Sequence, residues 1–91
     1  MRESLIEKKT CDTARKAGWL VHPKAAPGFR SWPDRPFSKV VDGAVRLIFV
    51  EFKAPGKKPT RLQKHTHDKL RAQGYEVHVI DSIEAGAALF A

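Results

Sequence analysis

The sequence predicts an α/β fold: a mixed central sheet flanked by helices, in the order α-β-β-β-α-β-α. Three observations predict it. Residues 45–53 (VRLIFVEFK) are strand-forming, and their continuously apolar centre at 47–50 fits a strand buried on both faces. Asp42-Gly43, just before this run, is a hairpin signal, so the preceding strand should be its antiparallel neighbour. A helical stretch separates residues 45–53 from the next strand, at 75–80, so that pair is joined by a crossover and should be parallel. The 91 residues are read as one small domain, 1–91. A chain of this size buries roughly 60–65% of the surface its unfolded form exposes, a thin core that a partner subunit would help.

In chain order, residues 3–17 read as a helix. Ile6, Thr10, Cys11, Ala14 and Ala17 fall on one side of the wheel and Lys8, Lys9, Arg15 and Lys16 on the other; Gly18 closes it. Residues 19–22 read as a short strand. Residues 23–33 form a loop with three prolines, Gly28, Lys24 and Arg30, long enough to be functional. Residues 37–41 make the strand before the hairpin. Residues 54–59 are a basic turn carrying Lys57 and Lys58. A helix over 60–73 opens at Pro59-Thr60 and closes at Gly74. The strand at 75–80 and a closing helix over 82–90 complete the chain.

With 17 Lys and Arg against 10 Asp and Glu, the net charge is +7. That balance favours a polyanionic partner, most simply nucleic acid; the plain alternative is a basic surface without one. A membrane partner is disfavoured, because no helix pairs a basic face with a large apolar one. Cys11 is the single cysteine, which excludes an intrachain disulfide and a CxxC metal site and suits a reducing compartment. No apolar run approaches the roughly 18 residues of a membrane span. The start, MRESLIEKK, lacks the apolar core of a signal peptide. An intracellular, cytoplasmic protein is expected.

The chemistry concentrates in Ser31-Trp32-Pro33-Asp34 and Glu51-Phe52-Lys53. Side chains alternate along a strand, so Glu51 and Lys53 point together and Phe52 points into the core. A hairpin turning at 42–44 brings residues 34–37 beside 50–52, which sets Asp34 next to Glu51. Two acids can hold a divalent cation, and a lysine beside them can serve an attacking water or a charged phosphate. Each motif has a plainer reading: Glu-x-Lys as a surface ion pair, Pro-Asp as turn chemistry. Glu51 and Lys53 end a buried strand, where charges are costly unless paired or functional.

Other residues stay open between two roles. Glu7 lies beside the small apolar stripe of the first helix and can reach the sheet. Glu3, one turn earlier, shares nearly that face but also suits the helix N-terminus. Gln63 fits a capping box with Thr60, yet sits about 20° from Leu70 on the wheel and can face the sheet near Glu51. Trp32 either stacks on a base or packs under the loop. His22, His65, His67 and His78 show no zinc-type spacing, and surface or phosphate-contacting positions are expected for them. Lys24, Arg30, Lys57, Lys58, Arg61 and Lys64 cluster near the ends of the acid-bearing strands, as phosphate contacts would or as a solvated basic surface.

The ordered set Glu7, Pro33-Asp34, Glu51-Phe52-Lys53, Gln63 and Gly74-Tyr75-Glu76-Val77 resembles the VRR-NUC domain of the PD-(D/E)XK nuclease superfamily. The likeness covers nearly the whole chain and is strongest in FVEFKAPGKKPTRLQKH and LRAQGYEVHVIDS. It implies a restriction-endonuclease-like core and a Mg2+- or Mn2+-dependent nuclease. Glu7, Asp34, Glu51 and the Phe52 carbonyl would ligate the metal, Lys53 would orient or activate the water, and Gln63 would support the site. Stand-alone members of this size are similar to phage-type Holliday-junction resolvases and act as homodimers. The resemblance therefore implies cleavage of branched DNA such as a four-way junction. Nucleases for flaps or single strands, and a non-catalytic nucleic-acid-binding module, are the alternatives. Where the family usually carries Gly two residues before Pro-Asp, this chain has Ser31.

Overall fold

Ile6, Thr10, Cys11 and Ala14 recur at helical spacing, and they are the buried residues of α1 (Glu3–Lys16) in the computed structural model of the chain. The structure describes residues 1–26, 28 and 30–91. Gly18, at φ 88°, turns the chain out of α1 into β1 (Leu20–Val21). β2 (Arg35–Val41) and β3 (Ala44–Phe52) are joined by Asp42-Gly43. Their φ values of 52° and 80° are the paired positive dihedrals of a two-residue hairpin turn. Then come α2 (Arg61–Ala72), β4 (Glu76–Ile80) and α3 (Ile83–Phe90), in the expected order.

The sheet order is β1-β2-β3-β4. β1–β2 and β2–β3 are antiparallel and β3–β4 is parallel, as the hairpin signal and the crossover require. β1 is shorter than the expected 19–22. β2 starts two residues earlier than expected and takes in Pro36. A strand residue's N and C=O point to the same side, and the Pro36 carbonyl accepts from His22 N at 3.0 Å. Its missing N–H thus lies on the β1 side, where it removes no bond from the β2–β3 ladder.

The two faces of the sheet are covered unequally. On one, α1 and α3 close over Phe37, Ile48, Val50 and Phe52, which with Ile6, Ala14 and Phe90 form the core. Phe90 anchors it, its ring 4.5 Å from Phe37 and 5.1 Å from Trp19, centroid to centroid. Gly86 permits this approach: a Cβ there would collide with the Thr10 side chain. On the other face α2 packs against β4 and reaches the C-terminal end of β3 through His67. Strand alternation puts Leu20, Val40 and Val45 on that same face, beyond the cover of α2, and they are 63, 65 and 71% exposed. No helix among the described residues is long and apolar enough to cross a membrane.

Candidate active site

The β2–β3 register pairs Arg35 with Val50, so Asp34 arrives opposite Glu51. Asp34 Oδ2 accepts a 2.7 Å hydrogen bond from Phe52 N. Phe52 thereby ties the two acids together through its backbone, while its ring sits in the core. Glu51 and Lys53 project together on the α2 face, with Lys53 Nζ 3.9 Å from Glu51 Oε2. Lys53 N donates to Ile80 O at 2.9 Å, which carries the parallel ladder to the end of β3 and holds the lysine stem.

Glu51 is 2% exposed, and its carboxyl is pushed up to about 8. Burial pushes first and Asp34's negative charge second. Lys53 pulls the other way, and a hydrogen bond shared with Asp34 adds to the rise. Oε1 of Glu51 has no hydrogen-bond partner. An orphaned carboxylate oxygen beside a second carboxylate is a donor set for a hard, oxygen-seeking dication. Among the described residues no three acidic, histidine or cysteine side chains converge on one point; the donor set is the Asp34–Glu51 pair.

His67 corrects the expectation of surface histidines. It is 1% exposed, its Nε2 is 3.6 Å from Glu51 Oε1, and that Nε2 also lacks a hydrogen-bond partner. The gap is just beyond hydrogen-bond length. Burial, and then the nearby Arg71, lower the pKa of His67, favouring a neutral ring that can turn an N–H toward Glu51. The signal was in the sequence: His67 lies four residues after Gln63 and three before Leu70, on the face the wheel turns to the sheet. His22 and His78 are also engaged, with Ser38 Oγ at 2.7 Å and Glu76 Oε2 at 3.0 Å.

Glu7 departs from its expected place. Its carboxylate pairs with Lys24 Nζ at 3.0 Å and Arg35 Nε at 3.1 Å. The Arg35 contact is angled outside hydrogen-bond geometry and is an ion pair only. Arg35 pairs with Val50 in the ladder, and Val50 faces the α1 side while Glu51 faces α2. Glu7 is therefore engaged by cations on the α1 side of the sheet. The helix-1 acid whose charge reaches Glu51 is Glu3. Gln63 takes its capping role: its Oε1 accepts from Thr60 N at 2.9 Å and its N donates to Thr60 Oγ1 at 3.1 Å. Arg30, Lys57, Lys58, Arg61 and Lys64 are exposed, and Lys24 is exposed but held by Glu7.

No family model matches the sequence. The chain is 40% identical over 89 residues to "Putative nuclease p44" of Acyrthosiphon pisum secondary endosymbiont phage 1, covering 98% of this chain and 92% of that one. It is also similar to a solved structure described as a VRR_NUC domain, with a TM-score of 0.80 and 26% identity, over 96% of this chain and 91% of the other. The mixed sheet with its flanking helices is thus the restriction-endonuclease-like fold of that domain. Alike in sequence to that phage protein and in fold to that domain, the chain belongs to the VRR-NUC nuclease family.

Proposed function

We propose that the whole chain is one nuclease domain, a divalent-cation-dependent endonuclease that hydrolyses phosphodiester bonds in branched DNA, with a four-way junction as the favoured substrate. The observation that carries the proposal is the orphaned, buried Oε1 of Glu51 beside Asp34, with Lys53 on the same strand face. Asp34, Glu51 and the Phe52 carbonyl would hold Mg2+ or Mn2+, with Glu3 the better placed acid of α1. When bound, the ion supplies Lewis acidity toward the phosphate and its attacking water.

The chain's own residues do the rest. Lys53 carries a fixed positive charge to the strand end, where it orients the water and stabilises the charge that develops on the phosphate. The Phe52 N–H holds Asp34 in one rotamer. A neutral His67 donating toward Oε1 orients Glu51. Gln63 supports the site by fixing the start of α2 through its cap. The exposed cations Arg30, Lys57, Lys58, Arg61 and Lys64, with Lys24, grip backbone phosphates, so binding weakens steeply with salt. Resolving a junction takes two cuts, which a two-fold homodimer supplies. The exposed apolar side chains of Leu20, Val40 and Val45 would be the surface that meets a second copy.

The test is cleavage of an end-labelled four-way junction with Mg2+ by the wild-type chain, Asp34→Ala and Lys53→Ala, run against flap and linear duplex. Loss in both variants is expected. Wild-type rates in either would overturn the assignment. Calorimetric titration with Mn2+ separates the enzyme from a non-catalytic DNA-binding module: binding that Asp34→Ala abolishes supports the enzyme, and no binding supports the module.

A further inference from the structure

A cavity of about 260 Å3 opens between α1, the loop after β1 and the start of β2. Among the described residues it is lined by four cations, Lys8, Arg15, Lys24 and Arg35, and by one acid, Glu7. Lys8 and Arg15 are partly answered by Asp12, at 3.3 and 3.7 Å on the exposed surface of α1. Arg35 is not answered in the same way. Its Nε is buried and meets Glu7 as an ion pair only, and its guanidinium makes no hydrogen bond among the described residues. An arginine carries five N–H donors in a planar fork, and that fork matches the oxygens of a phosphate. A buried donor left without an acceptor is costly. The Cys11 thiol also lines the cavity, and burial pushes its pKa up, so it adds no negative charge against an incoming anion.

We propose that this cavity holds a phosphate of the DNA substrate, gripped by the Arg35 fork and Lys24, next to the phosphate that is cut. The inference rests on the DNA-cleaving reading and adds what that reading lacks: a contact that fixes which phosphodiester reaches the site. Arg35 follows Asp34 directly and opens β2, and successive strand residues face opposite sides. Lys24 is tied to the same stretch of backbone. Ala25 N donates to Asp34 O at 2.9 Å, and His22 N donates to Pro36 O at 3.0 Å. Glu7 meets both cations, Lys24 at 3.0 Å and Arg35 at 3.1 Å, and so sets them side by side. The clamp and Asp34 are thereby one mechanical unit. A strand held by the clamp has its neighbouring phosphodiester placed at Asp34 and Glu51. Phosphate contacts fix register in this way without reading sequence.

The experiment replaces single phosphates of a labelled four-way junction by uncharged methylphosphonate, one position at a time around the branch point. Affinity is read by fluorescence anisotropy in EDTA, and cleavage is read separately with Mg2+. Arg35→Gln should bind the unmodified junction roughly 10-fold more weakly, the size of one charge-assisted hydrogen bond. At one phosphate neighbouring the cut, methylphosphonate should weaken the wild-type chain by a similar factor and weaken Arg35→Gln no further. Losses that add at every position, or coincide only away from the cut, overturn the site and leave Arg35 as a partner of Glu7 alone. Should Arg35→Gln not fold, Lys24→Gln, whose side chain is 59% exposed, decides by the same coincidence. Inorganic phosphate titrated calorimetrically into the DNA-free chain is the second arm. Heat that Arg35→Gln removes, without a coincidence on the junction, assigns the cavity to a free phosphate and overturns the DNA contact. A coincidence in a chain that cuts nothing sinks the nuclease reading and leaves the phosphate site standing; cutting without a coincidence does the reverse.

Discussion

On the α1 face of the sheet, Glu7 meets two cations, Lys24 at 3.0 Å and Arg35 at 3.1 Å. On the α2 face, Glu51 meets a second carboxylate, an unpaired imidazole at 3.6 Å and a lysine no closer than 3.9 Å. Both acids belong to the motif set read from the sequence, and both are removed from bulk water. Burial of a carboxylate is costly unless opposite charge and hydrogen bonds answer it. Glu7 is answered by two opposite charges, though its Oε2 makes no hydrogen bond, and its side chain ties α1 to β2 and to the loop before it. Glu51 is not, and its carboxyl is held near 8. The contrast locates the chemistry: an acid kept dry, beside a like charge and short of partners, is arranged for a ligand from outside the chain.

The largest test of this contrast is to neutralise the α2-face site. Lys53→Ala should lower junction cleavage about 10²–10³-fold, the usual cost of one transition-state donor, measured in single-turnover assays. Glu51→Gln should abolish Mn2+ binding by calorimetry and yet raise the apo melting temperature at pH 8.5, because it removes a buried charge that lacks compensation. A fall in that melting temperature would mean Glu51 is a structural ion-pair partner, like Glu7.

Next in size is the α1-face pair. Glu7→Gln leaves Arg35, whose side chain is only 17% exposed, without its partner. A wholly buried pair would cost more, and we expect roughly 1–3 kcal/mol by denaturant unfolding. Mn2+ affinity should hold within about twofold, roughly 0.4 kcal/mol, whereas Glu3→Gln should weaken it. The reverse pattern would restore Glu7 as the helix-1 ligand and would require α1 to shift when the ion binds.

How much of this was legible in the sequence differs between the two acids. Asp34 beside Glu51 follows from one dipeptide, because Asp42-Gly43 fixes the hairpin and the hairpin fixes the register. The orientations of Glu51, Phe52 and Lys53 follow from the two-residue strand period. Glu7 was legible only as far as the wheel goes: it faces the sheet. Which side of the sheet α1 covers is a tertiary matter, and neither Arg35 nor Lys24 announces itself as a counter-ion. His67 shares no face with His65, and only its spacing from Gln63 and Leu70 places it against the sheet. The open face of Leu20, Val40 and Val45 alternates like any covered strand face; only the position of α2 reveals that it is bare.

The pH dependence of the apo chain gives a smaller, distinct check. The pKa of Glu51 is raised from 4.5 to about 8, so the folded chain holds this proton longer than the unfolded one. Its contribution is fully present below pH 4.5 and is lost as pH climbs toward 8. His67 is shifted downward from 6.5, so its contribution is lost as pH falls below 6.5 and opposes that of Glu51 there. The clean window runs from about 6.5 to about 8. Across it, stability should fall with rising pH by at most roughly 1.4 kcal/mol per unit, and Glu51→Gln should flatten the slope. A flat slope in that window would mean that Lys53 answers Glu51 more fully than its 3.9 Å separation suggests.

The smallest expected effect separates scaffold from chemistry at one residue. Gln63 lies on α2, the helix that carries His67, and closes both hydrogen bonds of the capping box with Thr60. Gln63→Ala should cost about 0.5–1 kcal/mol, as loss of a helix cap does. Gln63→Glu keeps an acceptor for Thr60 N and so preserves the box, while it deletes the amide N–H donors and adds a negative charge on the side of Glu51. If Gln63 serves only by fixing where α2 begins, Gln63→Glu should restore both the melting temperature and the cleavage rate lost in Gln63→Ala. If its amide works at the site itself, Gln63→Glu should restore the melting temperature and leave cleavage low. The split between these two readouts decides whether the α2 face uses Gln63 as a cap or as a site residue.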